Sequence, residues 1–435
     1  MGKLLRELLY PILGVILGIG LALIFEAAIR METPISVPLE TASSWRSDDS
    51  DINTSLAWGD VNGDGDLDLV SANWEAANDL YLNEGSMLEA SPSWSSDDLS
   101  YTGGVAWGDV DGDGDLDLAA GNGGQQNVVY INDEGILETT PSWRSDGSDD
   151  TWSVAWGDVD GDGDLDLAAG NRGQPNAIYM NRGGFLETIA SWRSYDLDNT
   201  VSVVWGDVNG DGYPDLAVGN WAQKNAVYLN RKGVLETSPS WRSADSDDTW
   251  TVAWGDMNGD GYLDLAAGNY GQKNVVYLNR GGVLERNPSW VSDDADNTIG
   301  IAWGDVDGDG YLDLAAANEG PDWKNDVYLN RGGVLETAPS WTSDDAANTV
   351  SVAWGDVDGD GDLDLAAGNH GQRNVLYINK GAPSLLTKYR RALYRLHAWF
   401  DRLLMAFDEL FSLFSTSHNK LWPPDGDELS RPSIY

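Results

Sequence analysis

The chain has 435 residues, with 71 Asp and Glu against 26 Lys and Arg and a formal net charge of −45. That charge argues against nucleic acid as a partner, whose phosphates would be repelled instead of neutralised. With 21 Trp and 17 Tyr the chain can bury a core, unlike a disordered acidic segment; with no cysteine it has no disulfide, thiolate metal site or Cys nucleophile.

The first predicted element occupies residues 1–30. Lys3 and Arg6 precede an apolar run from Leu8 to Phe25, "LLYPILGVILGIGLALIF". Its length is near the lower limit for spanning a bilayer and long for a signal-peptide core. "FEAAIRMETP" offers only a weak cleavage site. An uncleaved signal anchor, a transmembrane helix, is therefore favoured over a cleaved signal peptide, which would leave a secreted protein. A buried soluble helix is the third reading. The basic residues before the run stay inside and send the rest of the chain outside the cytoplasm. Residues 31–38 read as a linker.

From residue 39 to residue 381 the chain repeats itself. Trp-Gly-Asp begins at Trp58, Trp107, Trp156, Trp205, Trp254, Trp303 and Trp354, spaced 49 residues five times and then 51. Each copy orders its parts alike: an apolar segment such as "SVAWGD", an Asp/Gly loop, "LDLAAGN", a loop, "NVVYLN", a Gly-rich turn, "VLETSPSW" and a polar "SDD" loop. Four short β-segments bounded by Gly, Asn or Asp fit one unit. A repeated four-stranded sheet is the unit of a β-propeller. "LETASSW" (Leu39 to Trp45) precedes the first Trp-Gly-Asp, and nothing like it follows the last copy. It is expected to supply the outer strand of the final sheet and close the ring without a free edge. The fold class is all-β: a seven-bladed β-propeller closed by an N-terminal strand. The Trp columns, such as Trp143 and Trp156, read as core between blades. The "SDD" loops read as solvated turns.

The Asp/Gly loop has a coordination logic. Its nine positions hold Asp at 1, 5 and 9, Asp or Asn at 3, Gly at 4 and 6, and Asp or Tyr at 7. Calcium takes about 6–8 oxygens. Side chains at 1, 3 and 5 converge if the backbone coils tightly, which Gly at 4 and 6 permits. Position 7 contributes its carbonyl, so Asp and Tyr are interchangeable there, and Asp at 9 closes the site from the next strand. The candidate metal residues are Asp60, Asn62, Asp64, Asp66 and Asp68 in the first copy, then Asp109, Asp111, Asp113, Asp115 and Asp117. The third and fourth copies supply Asp158, Asp160, Asp162, Asp164, Asp166 and Asp207, Asn209, Asp211, Tyr213, Asp215. The fifth and sixth supply Asp256, Asn258, Asp260, Tyr262, Asp264 and Asp305, Asp307, Asp309, Tyr311, Asp313. The last supplies Asp356, Asp358, Asp360, Asp362 and Asp364. Up to seven Ca2+ ions are expected. An EF-hand is excluded, because position 12 is Ser71, Ala120 or an equivalent instead of Glu, and a strand follows instead of a helix. Magnesium fits less well, since it keeps several waters.

The piece "AWGDVDGDGDLDLAAGN" resembles the FG-GAP repeat of the integrin α-subunit propeller and of bacterial VCBS-type repeat proteins, and the likeness covers about residues 39 to 381. Here Trp-Gly stands for Phe-Gly and "AAGN" for "GAP"; neither change touches a ligand. The resemblance implies that the loop joins the inner two strands of a blade and binds calcium through the side chains of Asp60, Asn62, Asp64 and Asp68 and their equivalents. Such proteins include adhesion proteins, lectins and some lyases, so the resemblance does not fix the activity.

The loop after "AAGN" diverges most. Its first variable position holds Trp74, Gly123, Arg172, Trp221, Tyr270, Glu319 and His370, with Lys273, Trp323 and Arg373 close by. It joins strands two and three, and so lies on the face opposite the calcium loops. Aromatic faces beside polar groups suit a sugar or a protein loop; drift in exposed loops is the competing reading. The ligand-face candidates are Trp74, Arg172, Trp221, Tyr270, Trp323 and His370. No catalytic residue is assigned, because His370, His397 and His418 are scattered and no Ser/His/Asp arrangement is visible.

The last predicted element, residues 382–418, carries Leu386, Tyr389, Leu393, Leu396, Phe400, Leu403, Phe407, Leu410 and Phe414 at helical spacing. This C-terminal amphipathic helix, basic in its first half, could lie on a membrane, form a homo-oligomer or pack on the propeller. Residues 419–435 read as a flexible tail. The expected function is an extracytoplasmic calcium-binding recognition or adhesion module for a glycan or protein partner. The alternatives are a polysaccharide lyase or hydrolase using the face opposite the calcium loops, and a structural component without a small ligand.

Overall fold

Short apolar runs separated by Gly, Asn and Asp turns form antiparallel sheets, because each run is too short for a helix and each turn residue reverses the chain. In the computed structural model, which describes residues 37–85, 87–320 and 324–381, every described repeat folds this way. The described residues belong to one unit, Ile35–Ala382. The Leu8–Phe25 run, linker residues 31–36, Trp323, the amphipathic segment and the tail lie outside the described residues. No helix among the described residues is long and apolar enough to cross a membrane.

The third repeat shows the unit. Its strands are Thr151–Gly157, Asp166–Asn171, Ala177–Tyr179 and Trp192–Arg193, paired in that order and antiparallel throughout. The last repeat has only three strands of its own, Thr349–Gly355, Asp364–Asn369 and Val375–Tyr377. Its fourth place is taken by Trp45–Arg46, with Trp45 opposite Leu376 and Arg46 opposite Val375. The first two sheets are joined laterally: Asp68–Ala76 and Ser100–Gly108 are longer than their equivalents, and Trp74 pairs with Tyr101. The outer strands have two residues each. Side chains replace the ladder there: Ser145 Oγ accepts from the Asn127 N–H at 3.0 Å and donates to the Gly147 carbonyl at 2.9 Å.

The core lies between neighbouring sheets. The second strand of every set is buried from its first residue to the sixth, and its alternating Leu and Ala or Val face two neighbours; only the extension Trp74–Ala76 in the first repeat emerges. One such cluster joins Val208, Ala217 and Val227 of the fourth repeat to Val252, Leu265, Ala267 and Tyr277 of the fifth. Two sets of tryptophan bonds lock the sheets together. Trp156 Nε1 donates to the Ala106 carbonyl of the preceding inner strand at 3.1 Å, and Trp58 makes the same bond to Ala353 at 3.2 Å, linking first repeat to last. Farther out, Trp143 Nε1 donates to the Leu186 carbonyl at 3.0 Å and stands edge-on to Tyr179, 5.2 Å between centroids. Trp341 makes that bond to Leu39. The Gly after each inner tryptophan is dictated by this packing: a Cβ on Gly157 would sit 2.7 Å from the Trp205 ring.

One irregularity positions a site. Every inner strand slips register near its start, so that between Thr151 and Ser153 the partner advances by one residue only. The residue skipped at this slip is thus the extra residue of a β-bulge, the device by which a strand turns a side chain out of the ladder. In the seven copies it is Thr54, Gly103, Trp152, Val201, Trp250, Ile299 and Val350. All seven line one central cavity of about 610 Å³.

Candidate functional site

The Asp/Gly loops are coils wound around their first aspartate. In the second repeat Asp109 Oδ1 accepts from the N–H of Gly112 at 2.7 Å and of Asp113 at 3.1 Å, and Oδ2 from Gly114 at 3.0 Å. Gly112 (φ 80°) and Gly114 (φ 102°) are left-handed, which a side chain would oppose. Asp113 Oδ1 accepts from the Asp115 N–H at 2.9 Å. Asp117 is fully buried, and its two oxygens accept from Val110 N–H and Asn132 N–H, both at 2.8 Å. It therefore pins the loop to the end of the third strand. Asp115 points its Oδ2 elsewhere, to the Glu134 N–H at 2.8 Å. Asp164 does the same to Gly183 at 2.6 Å.

These arrangements concentrate carboxylates. Ligand atoms lie within 4.8 Å of one another in Asp109/Asp111/Asp117, Asp158/Asp160/Asp166, Asp305/Asp307/Asp313 and Asp356/Asp358/Asp360. Three of these sets combine positions 1, 3 and 9, and the fourth positions 1, 3 and 5. Burial pushes Asp117, Asp166, Asp215, Asp264 and Asp364 up to about 6 and Asp313 up to about 8, against the pull of two backbone N–H bonds each. Asp309 rises to about 7 for the same reason, reinforced by Asp307.

The residues fit a hard divalent cation on three counts. The donors are all oxygen. The buried Oδ1 atoms of Asp60, Asp160 and Asp356 have no hydrogen-bond partner, and an orphaned buried carboxylate oxygen is costly unless something positive meets it. In two copies the crowded carboxylates already draw a guanidinium to a neighbouring oxygen: Arg182 Nη1 lies 2.6 Å from Asp160 Oδ2 and Arg331 Nη1 3.2 Å from Asp307 Oδ2.

The opposite ends of the same strands carry the variable residues. Trp74, Glu75, Glu319 and His370 line the central cavity together with Trp152 and Trp250. The rings form an unbroken arc. Tyr101 meets Trp74 at 5.0 Å between centroids, Trp74 meets Trp152 at 5.4 Å, and Trp152 meets Trp250 at 5.6 Å. Trp250 then meets Trp221 at 5.1 Å, and Trp221 meets Tyr270 at 5.6 Å. Arg172 sits over the Trp152 ring at 5.4 Å. The other side of the mouth is polar, with His370 Nδ1 3.8 Å from Glu319 Oε1. Burial, with the Glu319 charge and a hydrogen bond to it, raises the Tyr270 hydroxyl above its usual range.

Five of the six expected ligand-face residues are thus placed at this end, and Trp323 lies outside the described residues. Lys273 is committed to the Ser292 carbonyl at 2.9 Å. Sequence reasoning missed Trp152, Trp250 and Tyr101. The signal for the first two was present: the residue two before each "VAWGD"-type run differs between neighbouring repeats, while its neighbours are confined to Thr or Asn before it and Ser, Thr or Gly after it.

A family model for the FG-GAP-like repeat matches residues 60–120, 109–169, 159–218, 207–267, 256–316 and 312–367. The chain belongs to the FG-GAP-like repeat family. Among solved structures, this FG-GAP-like chain is similar to BBS1N in complex with ARL6DN, in crystals soaked with mercury and with lead. The mercury structure gives a TM-score of 0.57 at 12% identity over 79% of this chain and 98% of that one. The lead structure gives 0.56 at 12% identity over 81% and 100%. At this identity the likeness is one of fold, and the fold is a β-propeller. No curated protein matches this chain.

Proposed function

We propose that this FG-GAP-like chain is a seven-bladed, calcium-stabilised propeller that works outside the cytoplasm as a recognition module. Its anchor would be the Leu8–Phe25 run behind Lys3 and Arg6. The blade count is supported by the seven Trp-Gly-Asp repeats, by the Trp58–Ala353 bond and by the outer strand Trp45–Arg46 in the last sheet. The observation that carries the functional reading is the contrast between the two ends of each sheet. One end repeats a single oxygen-rich coil, and the other carries a different residue in each neighbouring repeat.

Calcium would be held by side chains at loop positions 1, 3, 5 and 9 and a carbonyl at 7, in the second copy Asp109, Asp111, Asp113, Asp117 and Asp115. It supplies positive charge where buried carboxylates crowd. The chain's own work is to wind the coil and to hold Asp117 in register through Val110 and Asn132. Seven ions would take the formal charge from −45 to −31. The partner would be a glycan or a protein at the opposite face; BBS1N, a propeller of similar fold, is seen in complex with a protein. We assign no catalysis, and turnover of an acidic polysaccharide would replace this reading with an enzymatic one.

The test is thermal unfolding with millimolar calcium and with chelator. A ligand bound only by the folded state stabilises it by about 2.7 kcal/mol at a hundredfold excess over Kd for one site. With several sites the midpoint should fall by at least about 5 °C on chelation. An unchanged midpoint would sink the metal assignment. Overlay of the calcium-loaded chain on glycan and extracellular-protein arrays tests recognition, and silence on both would end it.

A further inference from the structure

The cavity mouth is the one place where the repeats break symmetry in both of their variable columns, the bulge residue and the first residue of the variable loop. The mouth has two unlike halves. One is the aromatic arc from Tyr101 through Trp74, Trp152, Trp250 and Trp221 to Tyr270. The other carries Glu319 and His370. Beneath them the next residues of the inner strands are small or hydroxylic. Ser153 Oγ accepts from Val203 N–H and Ser202 Oγ from Val252 N–H, each at 3.1 Å, and both residues line the cavity.

We infer that this mouth binds the end of a neutral oligosaccharide, with a sugar ring on the arc at Trp250 and its hydroxyls on Glu319 and His370. The inference rests on the recognition reading above and names the ligand class and its seat. Three observations select the class. A formal charge of −45 opposes an anionic ligand. The chain's own Arg172, over the Trp152 ring, puts a positive charge at the arc that opposes a cationic ligand. What remains is an apolar ring surface in one cavity with a carboxylate, an imidazole and two hydroxyls, which is the mixed apolar and hydrogen-bonding surface of a sugar. A cavity of about 610 Å³ lies in the range of small-molecule sites.

The test uses the full chain with calcium on an array of neutral glycans. Calorimetry then follows with chitotriose, cellotriose and maltotriose, and with trigalacturonate and choline as acidic and cationic counterparts. At least one neutral glycan should bind. Trp250→Ala and Trp152→Ala should each weaken it by about tenfold or more, and Glu319→Gln by several-fold, with the calcium-dependent melting midpoint of every variant kept. Binding to no neutral glycan overturns the inference, as does equal or tighter binding of trigalacturonate or choline, or binding that both tryptophan variants leave unchanged. A blank glycan array beside a bound protein overturns this inference and leaves the recognition reading standing. Loss of both removes the two together.

Discussion

The two ends of the inner strands obey different rules. At the loop end, seven copies carry the same winding of Asp and Gly. At the cavity end, no two neighbouring copies share the bulge residue or the first residue of the variable loop. The loop winds mainly on itself: in the second repeat its coil is held by bonds within residues 109–117, Asn132 and Glu134 of the same sheet bond Asp117 and Asp115, and one bond comes from outside, Asn181 of the next repeat donating to the Val110 carbonyl. A site complete within one repeat can be copied without loss. The cavity mouth is shared by all the inner strands around it. Identical residues there would present a symmetric ring, which no asymmetric ligand would fill well. Divergence at the mouth is thus what the proposed recognition would require, and identity at the loops is what the proposed local metal binding would require.

The comparison breaks most sharply at position 9. Asp313→Ala removes the acceptor for Val306 N–H and Asn330 N–H, 2.9 and 2.7 Å away and fully buried, and one proposed metal ligand. Two buried donors left unmet cost about 2–6 kcal/mol together. Denaturant unfolding should show that loss even in chelator, with a further loss when calcium is present. If the variant loses stability only in calcium, Asp313 is a ligand without the structural role given to it.

Burial of a carboxylate away from the loops gives the next effect. Asp326 begins a third strand, accepting from Thr342 Oγ1 at 2.7 Å and Asn318 Nδ2 at 3.0 Å. Burial pushes it up to about 7. Asp79, in the same place in the first repeat, is pushed up to about 6. Both pKa values exceed the unfolded value of about 3.9. Between about pH 4 and pH 7 the folded state therefore holds protons that the unfolded state releases, and stability falls as pH rises through that window. Asp326→Asn keeps both hydrogen bonds, since its amide can donate to Thr342 and accept from Asn318. It should flatten the slope and raise Tm at pH 8 in chelator. An unaltered pH profile would show that this carboxylate is not held in a desolvated state.

Smaller still is the lock between sheets. Gly157→Ala places a Cβ 2.7 Å from the Trp205 ring. Overpacking of this kind costs about 1–3 kcal/mol. The variant should lower the midpoint equally with and without calcium, because the lock belongs to the sheets and not to the loop coil.

Much of this was legible in the chain. The 49-residue period, the strand order within a repeat and the outer strand lent by the segment Leu39 to Trp45 follow from patterns that need only local chemistry, and the side chains of Asp115 and Asp164 bond the N–H groups of Glu134 and Gly183. What was missed depends on three dimensions. Trp152 and Trp250 sit inside strands, where alternation assigns a side chain to one face of a sheet. The bulge overrides that assignment and turns them to the cavity. The Trp74–Tyr101 pair was hidden because it forms between two sheets that the repeat pattern treats as separate. The brevity of the outer strands was hidden because Ser and Asn side chains, not the backbone, finish the pairing.

The smallest expected effect is the most discriminating. Asp115 and Asp117 are two residues apart in an alternating run, and an acidic-surface reading treats them alike. Asp117 is buried and bonded to two backbone N–H groups, while Asp115 is half-buried and directs Oδ2 to Glu134. Tyr occupies the position of Asp115 in three other copies. Asp115→Tyr should therefore change stability by less than about 0.5 kcal/mol and leave the number of calcium ions per chain unchanged in native mass spectrometry. Asp117→Asn should lower that number by one. If both substitutions cost an ion, the carbonyl at position 7 is not the donor and the aspartate side chain is. If neither does, the loops are acidic turns, and the identity of their seven copies reflects the folding of the coil alone.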